Sequence, residues 1–302
     1  MDMKTSVRIG FVGIGRMGSN MARCLHEKGF TIAAVNDRIP ANMIEISREL
    51  NCEASPNPAR VAELAEVIVT VVSDDGAMEE LYSEANDCAL LCYAAGRLFI
   101  NCATVTPDLH VRIERSVEAR GGSTLEACMA SSITQARQGT LYFICGGKRS
   151  AFEKATPFLE AMGSRLRYVG RSGEGAKVKA LVNMVMNCNT AALAEGLALG
   201  DALGLDLPVL REVFQQTGAA SRVLETDGED MELRSHDCFF SAAHAAKDSG
   251  IAMQLAQSAG LNLPVARATL EQYRLLVASG KGELDKSGIA ELTFKDRGAR
   301  RS

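Results

Sequence analysis

At 302 residues the chain is long enough for two domains and a sizeable core, and its apolar and charged fractions are those of a globular protein. A formal net charge of -4 leaves no basic footprint for nucleic acid, and no apolar run is long and unbroken enough to span a bilayer. Nine scattered cysteines, with no Cys-x-x-Cys pair and no clustering with the four histidines, argue against a disulfide framework or a zinc site and fit a reduced, cytoplasmic protein. Met1 to Ser6 reads as a stub, not a signal peptide.

In chain order, Val7 to Val12 is a short apolar run of the kind a buried parallel strand needs, and Gly13 to Gly18 is a glycine-rich turn. Helical periodicity follows over Ser19 to Lys28 and stops at Gly29. A strand is expected at Thr31 to Val35, a helix from about Asn42 to Asn51, and further strands at Val67 to Val72, near Leu98 to Asn101, at Leu141 to Cys145 and at Leu166 to Val169. Strands alternating with helices imply a doubly wound, mostly parallel α/β sheet of the Rossmann kind. Beyond about Gly170 the pattern turns all-α: a long helix from Gly175 to Leu203, then Pro208 to Thr217, a segment around Phe239 to Ala259, and Pro264 to Ser279. The expected division is therefore 1–170 and 171–302. The basic Arg297 to Arg301 end reads as a frayed tail.

Gly13-Ile14-Gly15-Arg16-Met17-Gly18 is a G-x-G-x-x-G that follows a strand, opens a helix and precedes an acidic residue at the next strand tip. That context is the dinucleotide-binding fingerprint. Gly13 permits the tight turn, Gly15 lets the backbone approach a pyrophosphate, and Gly18 allows close helix-to-strand packing. At the second strand tip Asn36, Asp37 and Arg38 compete to choose the cofactor. A carboxylate would accept the ribose hydroxyls and repel a 2′-phosphate, whereas an arginine would attract one. The choice between NAD and NADP stays open, with Asp37 tilting it toward NAD. Downstream, Lys179, Asn183 and Asn187 recur at i, i+4, i+8 and form one polar stripe on an apolar helix. Such a stripe must face a polar network or a cleft, because an unpartnered buried charge is costly.

These motifs resemble the 3-hydroxyisobutyrate dehydrogenase, or β-hydroxyacid dehydrogenase, family over nearly the whole chain. Gly13 to Ala22 is similar to its G-x-G-x-M-G-x-x-M-A. Val71 to Asp75, which contains Val72, Ser73 and Asp74, is similar to a loop beside the cofactor. Asn101 to Pro107 resembles D-x-S-T-x-S-P, whose threonine, here Thr104, would lie near the nicotinamide. Gly139-Thr140-Leu141 and Gly146-Gly147 resemble the family's G-T-L and G-G. Gly173, Gly175, Lys179 and Asn183 fit G-x-G-x-x-x-K-x-x-x-N, and Phe240, Lys247 and Asp248 fit F-x-x-x-x-x-x-K-D. The resemblance implies an NAD(P)-dependent oxidoreductase acting on a small 3-hydroxyacid, with a carboxylate or related anionic substrate; the apolar all-α domain predicts a homodimer or homotetramer. Lys179 would be the general acid/base and Asn183 its partner, with Lys247 along the cofactor or acting as the second cation that lowers the lysine's pKa. Asn187 and Phe240 would join the substrate site.

Two departures stand out. The family's substrate loop reads close to D-A-P-V-S-G-G, and the equivalent stretch here is Glu126-Ala127-Cys128-Met129-Ala130-Ser131-Ser132. Ala130 replaces the serine that holds the substrate carboxylate, and Ser131 and Ser132 replace the glycines, so a serine hydroxyl would take over as donor or the substrate would differ. At the strand tip, Asn36 falls on the cofactor-selecting position counted from Gly18, and Asp37 does so counted back from Pro40. Cys128 is expected to be a packing residue and His244 a satisfied structural histidine. Imine reductases resemble this architecture but replace the lysine, and in 6-phosphogluconate dehydrogenase a histidine stands where this chain has Val182. A catalytically silent binding module would be expected to lose Lys179, Asn183 and Lys247, which this chain keeps.

Overall fold

A computed structural model describes residues 6–295; the basic run at 297–301 lies outside them. The chain divides into two compact units, Met1–Lys179 and Ala180–Ser302, and the division falls inside a long helix.

The first unit is built on an eight-stranded sheet in the order β3-β2-β1-β4-β5-β6-β7-β8. Its strands are β1 (Arg8–Val12), β2 (Thr31–Asn36), β3 (Glu53–Ala54), β4 (Val67–Thr70), β5 (Leu98–Asn101), β6 (Ser123–Met129), β7 (Leu141–Gly147) and β8 (Gly163–Gly170). All neighbouring pairs are parallel except β6 and β7. The chain enters at β1 and builds outward in both directions, so β1 and β4 flank the point where the strand order reverses. Doubly wound sheets bind their ligands outside the carboxyl ends of strands at that point.

The central strands are mostly apolar because both faces are covered. Ile9 and Phe11 of β1, Val67 and Val69 of β4, and Leu98 and Ile100 of β5 join one buried cluster. Val12, Ile68 and Phe99, one residue out of phase, join the other. Each such side chain contributes about 1.5–3 kcal/mol on burial, so a one-residue register slip would exchange whole faces and is strongly opposed.

Seven α-helices cover the sheet or connect its strands among the described residues before β8 ends: α1 (Arg16–Glu27), α2 (Pro40–Leu50), α3 (Pro58–Leu64), α4 (Asp75–Leu81), α5 (Pro107–Glu118), α6 (Ile133–Gln138) and α7 (Arg149–Met162). Helix α1 buries Gly18, Met21, Ala22 and Leu25, an i, i+3, i+4, i+7 stripe. Proline at the first turn starts α2, α3 and α5, where its missing N–H would have no partner anyway.

Most expected elements stand within a few residues of their sequence positions, and β5 coincides with its expected span. Two differences bear on the site. Val71 and Val72 lie beyond the end of β4, in the loop that enters α4. Glu126 to Met129 is not loop but the second half of β6, paired antiparallel with β7 through Met129 and Phe143.

The second unit is helical: the remainder of α8 (Glu174–Ala202), then α9 (Leu207–Gln215), α10 (Arg222–Leu233), α11 (Ala242–Ser258), α12 (Pro264–Leu276) and α13 (Ala290–Thr293). Leu193, Leu197, Met231, Tyr273 and Leu276 are central to its core. Its described residues hold no strand, only a single bridge between Ser241 and Asp285. No described helix is long and apolar enough to cross a membrane.

Candidate active site

In the first unit the glycine-rich turn joins β1 to α1. Gly13 adopts φ 86°, and a Cβ there would collide with the Val71 carbonyl oxygen. A Cβ on Gly18 would collide with the carbonyl oxygen of Gly13, so helix and strand approach closely only because both residues are glycine. A Cβ on Gly15 would meet nothing within 4 Å, so the backbone there is open to an approaching group. Gly15 is also the N-cap of α1, with no side-chain cap and no acidic residue in the first turn. The amides of Arg16, Met17 and Gly18 therefore keep their donors for an anion, and the helix dipole favours one. Open backbone, uncapped amides and absent carboxylates fit a dinucleotide pyrophosphate.

At the β2 tip, Asn36 is the last strand residue and its amide donates to the Ser55 carbonyl at 2.9 Å. Asp37 stands just beyond it. Its Oδ2 accepts the Ile14 N–H at 2.8 Å and its Oδ1 the Ile39 N–H at 2.8 Å. The carboxylate at the strand tip is thus Asp37, and it braces the glycine-rich turn. Arg38 is exposed.

Two further loops leave the carboxyl edge of the sheet. Beyond Val72, the Ser73 hydroxyl donates to Asp74 at 2.6 Å, and Asp74 caps α4 by accepting the Ala77 N–H at 2.9 Å. Asp75 reaches the next loop, where Thr106 gives it its N–H at 3.0 Å and its hydroxyl at 2.5 Å. Half-buried Thr104 sits on the segment this clamp fixes. Beneath it, Asn101 Oδ1 accepts from the hydroxyls of Thr70 at 2.8 Å and Tyr82 at 2.7 Å.

The Ala130-Ser131-Ser132 segment follows β6 directly. Ala130 N–H donates to the Tyr142 carbonyl at 2.9 Å, and Ser131 Oγ accepts the Tyr142 N–H at 3.0 Å. The two serines thereby differ. Ser132 gives its hydroxyl to Gln135 Oε1 and stands at the N-cap of α6, whereas Ser131 engages Tyr142 through an oxygen lone pair and keeps its proton to donate. Cys128 is fully buried, as a packing residue should be.

Lys179 lies on α8 and is 8% exposed. Asn183, one turn on, belongs to the second unit, where its Nδ2 donates to Asp248 Oδ2 at 2.5 Å. Asp248 in turn faces the Lys247 ammonium at 3.1 Å. Asn187 is fully buried and spends its Nδ2 on the Ala245 carbonyl at 3.1 Å and the Ser249 hydroxyl at 2.9 Å, so it ties α8 to α11. Phe240 packs partly buried against the helical core, and its N–H donates to Asp285 Oδ2 at 2.8 Å. His244 meets the Ser241 hydroxyl at 2.6 Å at the start of α11, a structural role.

The structure therefore gathers Gly13 to Gly18 with Asp37 in the first unit, and Asn183 with Lys247 in the second. Asn187 is drawn into helix packing. Sequence reading missed the roles of Asp75, Glu126, Asp248 and Asp285. Each is a carboxylate whose partner lies far along the chain, and only Asp248 carried a signal, as the acidic half of a Lys-Asp pair.

Two family models match. One describes the NAD-binding domain of 6-phosphogluconate dehydrogenase and covers residues 8–170; the other describes the NAD-binding domain of NADP-dependent 3-hydroxyisobutyrate dehydrogenase and covers residues 173–293. The chain is 30% identical to the NAD-dependent L-serine dehydrogenase of Pseudomonas aeruginosa, over 94% of this chain and 97% of that one. It is 29% identical to the 2-hydroxy-3-oxopropionate reductase of Escherichia coli, over 94% and 96%. The solved 3-hydroxyisobutyrate dehydrogenase of Mycobacterium tuberculosis, determined with L-serine, superimposes with a TM-score of 0.84 at 24% identity, over 95% of this chain and 99% of that one.

Proposed function

The chain belongs to the 3-hydroxyisobutyrate dehydrogenase-like family of NAD(P)-dependent β-hydroxyacid oxidoreductases, and from that footing we propose that it interconverts a small 3-hydroxyacid and its carbonyl form, with Lys179 as the acid/base. The observation that carries this reading is the polar stripe of α8, where Lys179 and the carboxylate-held Asn183 stand one turn apart on an otherwise apolar helix.

NAD(P), when bound, accepts or supplies the hydride. The chain handles the proton. In oxidation the neutral amine of Lys179 takes the hydroxyl proton as the carbon–oxygen bond becomes double; in reduction its ammonium returns a proton to the carbonyl oxygen. Such general catalysis is worth roughly 10²–10⁴-fold. Asn183 presents its amide to the substrate's oxygens without adding charge, and Phe240 offers an apolar wall. Lys247, whose ammonium faces Asp248, serves the cofactor. Ser131, with a hydroxyl proton to give, binds the substrate's anionic group in place of the family serine. The glycine-rich turn at residues 13–18, through the amides of Arg16, Met17 and Gly18, together with Asp37, Val72, Ser73, Asp74 and Thr104, holds the dinucleotide. Asp37 supports a preference for NAD, and Arg38 is the residue through which NADP would be accommodated.

Residues 1–170 are proposed to bind cofactor and residues 171–302 to complete the substrate site and assemble the oligomer. Exposed Leu199, Leu203, Leu205, Val209 and Val213 in the helical unit support a homodimer or homotetramer, and sedimentation would read its size. A cytoplasmic location fits the free cysteines, of which Cys88 and Cys92 are exposed and would suit a reducing compartment.

The decisive assay offers 3-hydroxyisobutyrate, L-serine, 2-hydroxymethylglutarate and 2-hydroxy-3-oxopropionate with NAD and NADP in the matching direction, following reduced-nicotinamide absorbance. Turnover of at least one pair supports the reading. Tight cofactor binding without turnover of any acid would overturn it.

A further inference from the structure

Strand β6 carries a carboxylate into the first unit's interior. Glu126 is 2% exposed, and its oxygens accept two amides at the start of α8: Oε1 from Gly173 N–H and Oε2 from Ala176 N–H, the latter at 2.9 Å. The backbone is shaped around this carboxylate. Gly173 holds φ 89° just before the helix begins. A Cβ on Gly175 would stand 2.8 Å from Glu126 Oε2, and one on Gly146 of β7 would stand 3.0 Å from the same oxygen. Two chain segments, β7 and the start of α8, thus close on one side-chain carboxylate.

Its surroundings offer no counter-cation. Among the described residues no lysine or arginine pairs with Glu126. The titratable groups that feel its charge are His110 and Glu114 of α5 and Cys145 of β7, and burial keeps His110 below its ordinary pKa and Cys145 pushed up to about 12. The helix N-terminus, with its unpaired amides and positive dipole end, is what holds the buried charge.

We propose that Glu126 is a positioning residue for Lys179. Ala176 and Lys179 are three residues apart and share a helix face. With 100° and 1.5 Å per residue, fixing the first turn of α8 fixes the rotation and height of the lysine one turn later. The same strand runs on to Ala130 four residues past Glu126, so β6 sets the substrate segment and the proton-transferring helix from one rigid element. A displacement of about 1 Å at such a group can cost 10²-fold in rate, which makes a buried cap on this helix a matter of catalysis as well as stability. The proposal rests on the assignment of Lys179 above.

The test compares wild type with Glu126→Gln, Gly175→Ala, Lys179→Ala and the Glu126→Gln/Lys179→Ala double variant. Each is assayed with whichever of 3-hydroxyisobutyrate, L-serine and 2-hydroxy-3-oxopropionate the wild type turns over best, alongside reduced-cofactor binding. Glu126→Gln keeps the volume but turns an NH2 toward backbone donors. Gly175→Ala keeps the charge and pushes the carboxylate aside. Both should lower kcat by roughly thirty-fold while KM and cofactor Kd stay within about three-fold. On the Lys179→Ala background, whose residual turnover is read with concentrated enzyme, Glu126→Gln should cost less than about two-fold more, because the two residues act through one group. An unchanged kcat in Glu126→Gln and Gly175→Ala, or the same fold-loss repeated without the lysine, overturns the positioning role. Near-normal turnover in Lys179→Ala alone overturns the lysine assignment and this proposal with it. If Glu126→Gln does not fold, Gly175→Ala decides.

Discussion

The side-chain amide of Asn183 donates to Asp248 Oδ2 across 2.5 Å, and both residues are almost fully buried. The carboxylate selects the orientation of the amide, because Nδ2 must face α11. A second oxygen of Asp248 faces the Lys247 ammonium, so one buried charge orients the asparagine and partly offsets the lysine.

Asp248→Asn should therefore disturb catalysis more than cofactor binding. The substituted amide can still accept from Asn183, but it no longer compensates Lys247. We expect kcat/KM to fall roughly ten-fold, with a modest loss of melting temperature. Asp248→Ala should be worse, since it also leaves the buried Asn183 amide without its acceptor. Steady-state kinetics and thermal denaturation of the two variants check this.

Lys179→Ala should leave the fold and cofactor affinity intact while lowering kcat by roughly a hundred-fold or more, the scale of a lost general acid/base. Stopped assays with fluorescence-monitored cofactor binding separate the two effects. Near-normal turnover would exclude the lysine from proton transfer.

Asp37 at the β2 tip holds the Ile14 and Ile39 amides with its oxygens, and its charge is proposed to choose the cofactor. Asp37→Ser should weaken both cofactors by loosening the turn, at about 1 kcal/mol for each lost backbone bond. It should weaken NAD more than NADP, because the repulsion of a 2′-phosphate goes with the charge. The measured quantity is the ratio of kcat/KM for the two cofactors. A ratio that stays fixed while both fall would leave Asp37 as a brace for the turn and shift the choice of cofactor to Arg38.

His110 provides an acid-sensitive contribution to stability. Burial in α5 pushes its pKa below the ordinary histidine value, against the opposing charges of Glu126 and Asp75. The unfolded chain therefore binds a proton that the folded chain refuses between the depressed pKa and about 6.5. Stability should rise with pH through that window and be lost as pH falls toward the folded pKa, with a slope of at most about 1.4 kcal/mol per pH unit. Urea midpoints between pH 5 and 7.5 should show this slope, and His110→Gln should flatten it.

Local chemistry made the nucleotide site readable. Gly13 needs positive φ, and Gly18 touches a neighbouring carbonyl, so only glycine fits and the spacing shows in the sequence. The amphipathic α1 announced itself through its period and terminal glycine, and α8 through its length and apolar composition. The two-residue β3 is too short to carry a pattern, and β6 hides because a glutamate sits in its buried middle. Glu126 looks misplaced until its partners at Gly173 and Ala176 are known, and those lie 47 and 50 residues away. Asp285 is similar: it clamps the Phe239 and Phe240 amides from 46 and 45 residues downstream. Buried carboxylates that anchor backbone at a distance obey no local period, so sequence reading passed over them while finding the lysine and asparagine that share one helix face.

The substrate segment yields the most specific prediction, because here the two serines are chemically distinct. Ser131 Oγ accepts the Tyr142 N–H at 3.0 Å, which fixes the oxygen and leaves the proton as donor to an incoming anion. Ser132 gives its proton to Gln135 and stands at the start of α6, so its hydroxyl is spent on the helix. Ser131→Ala should raise KM for the acid by roughly ten-fold, matching about 1–3 kcal/mol for a hydrogen bond to a charged group, with little change in cofactor KM. Ser132→Ala should instead lower the melting temperature by the worth of an N-cap, about 1 kcal/mol, and leave KM within a few-fold. Converting the segment to the family pattern, with Ala130→Ser, Ser131→Gly and Ser132→Gly, should move the preference among hydroxyacids toward 3-hydroxyisobutyrate, since the donor shifts one residue toward β6. Equal effects of the two serine variants on KM would show that the hydrogen bond to Gln135 breaks when substrate binds. No effect of either would make the segment a neutral variant of the family loop.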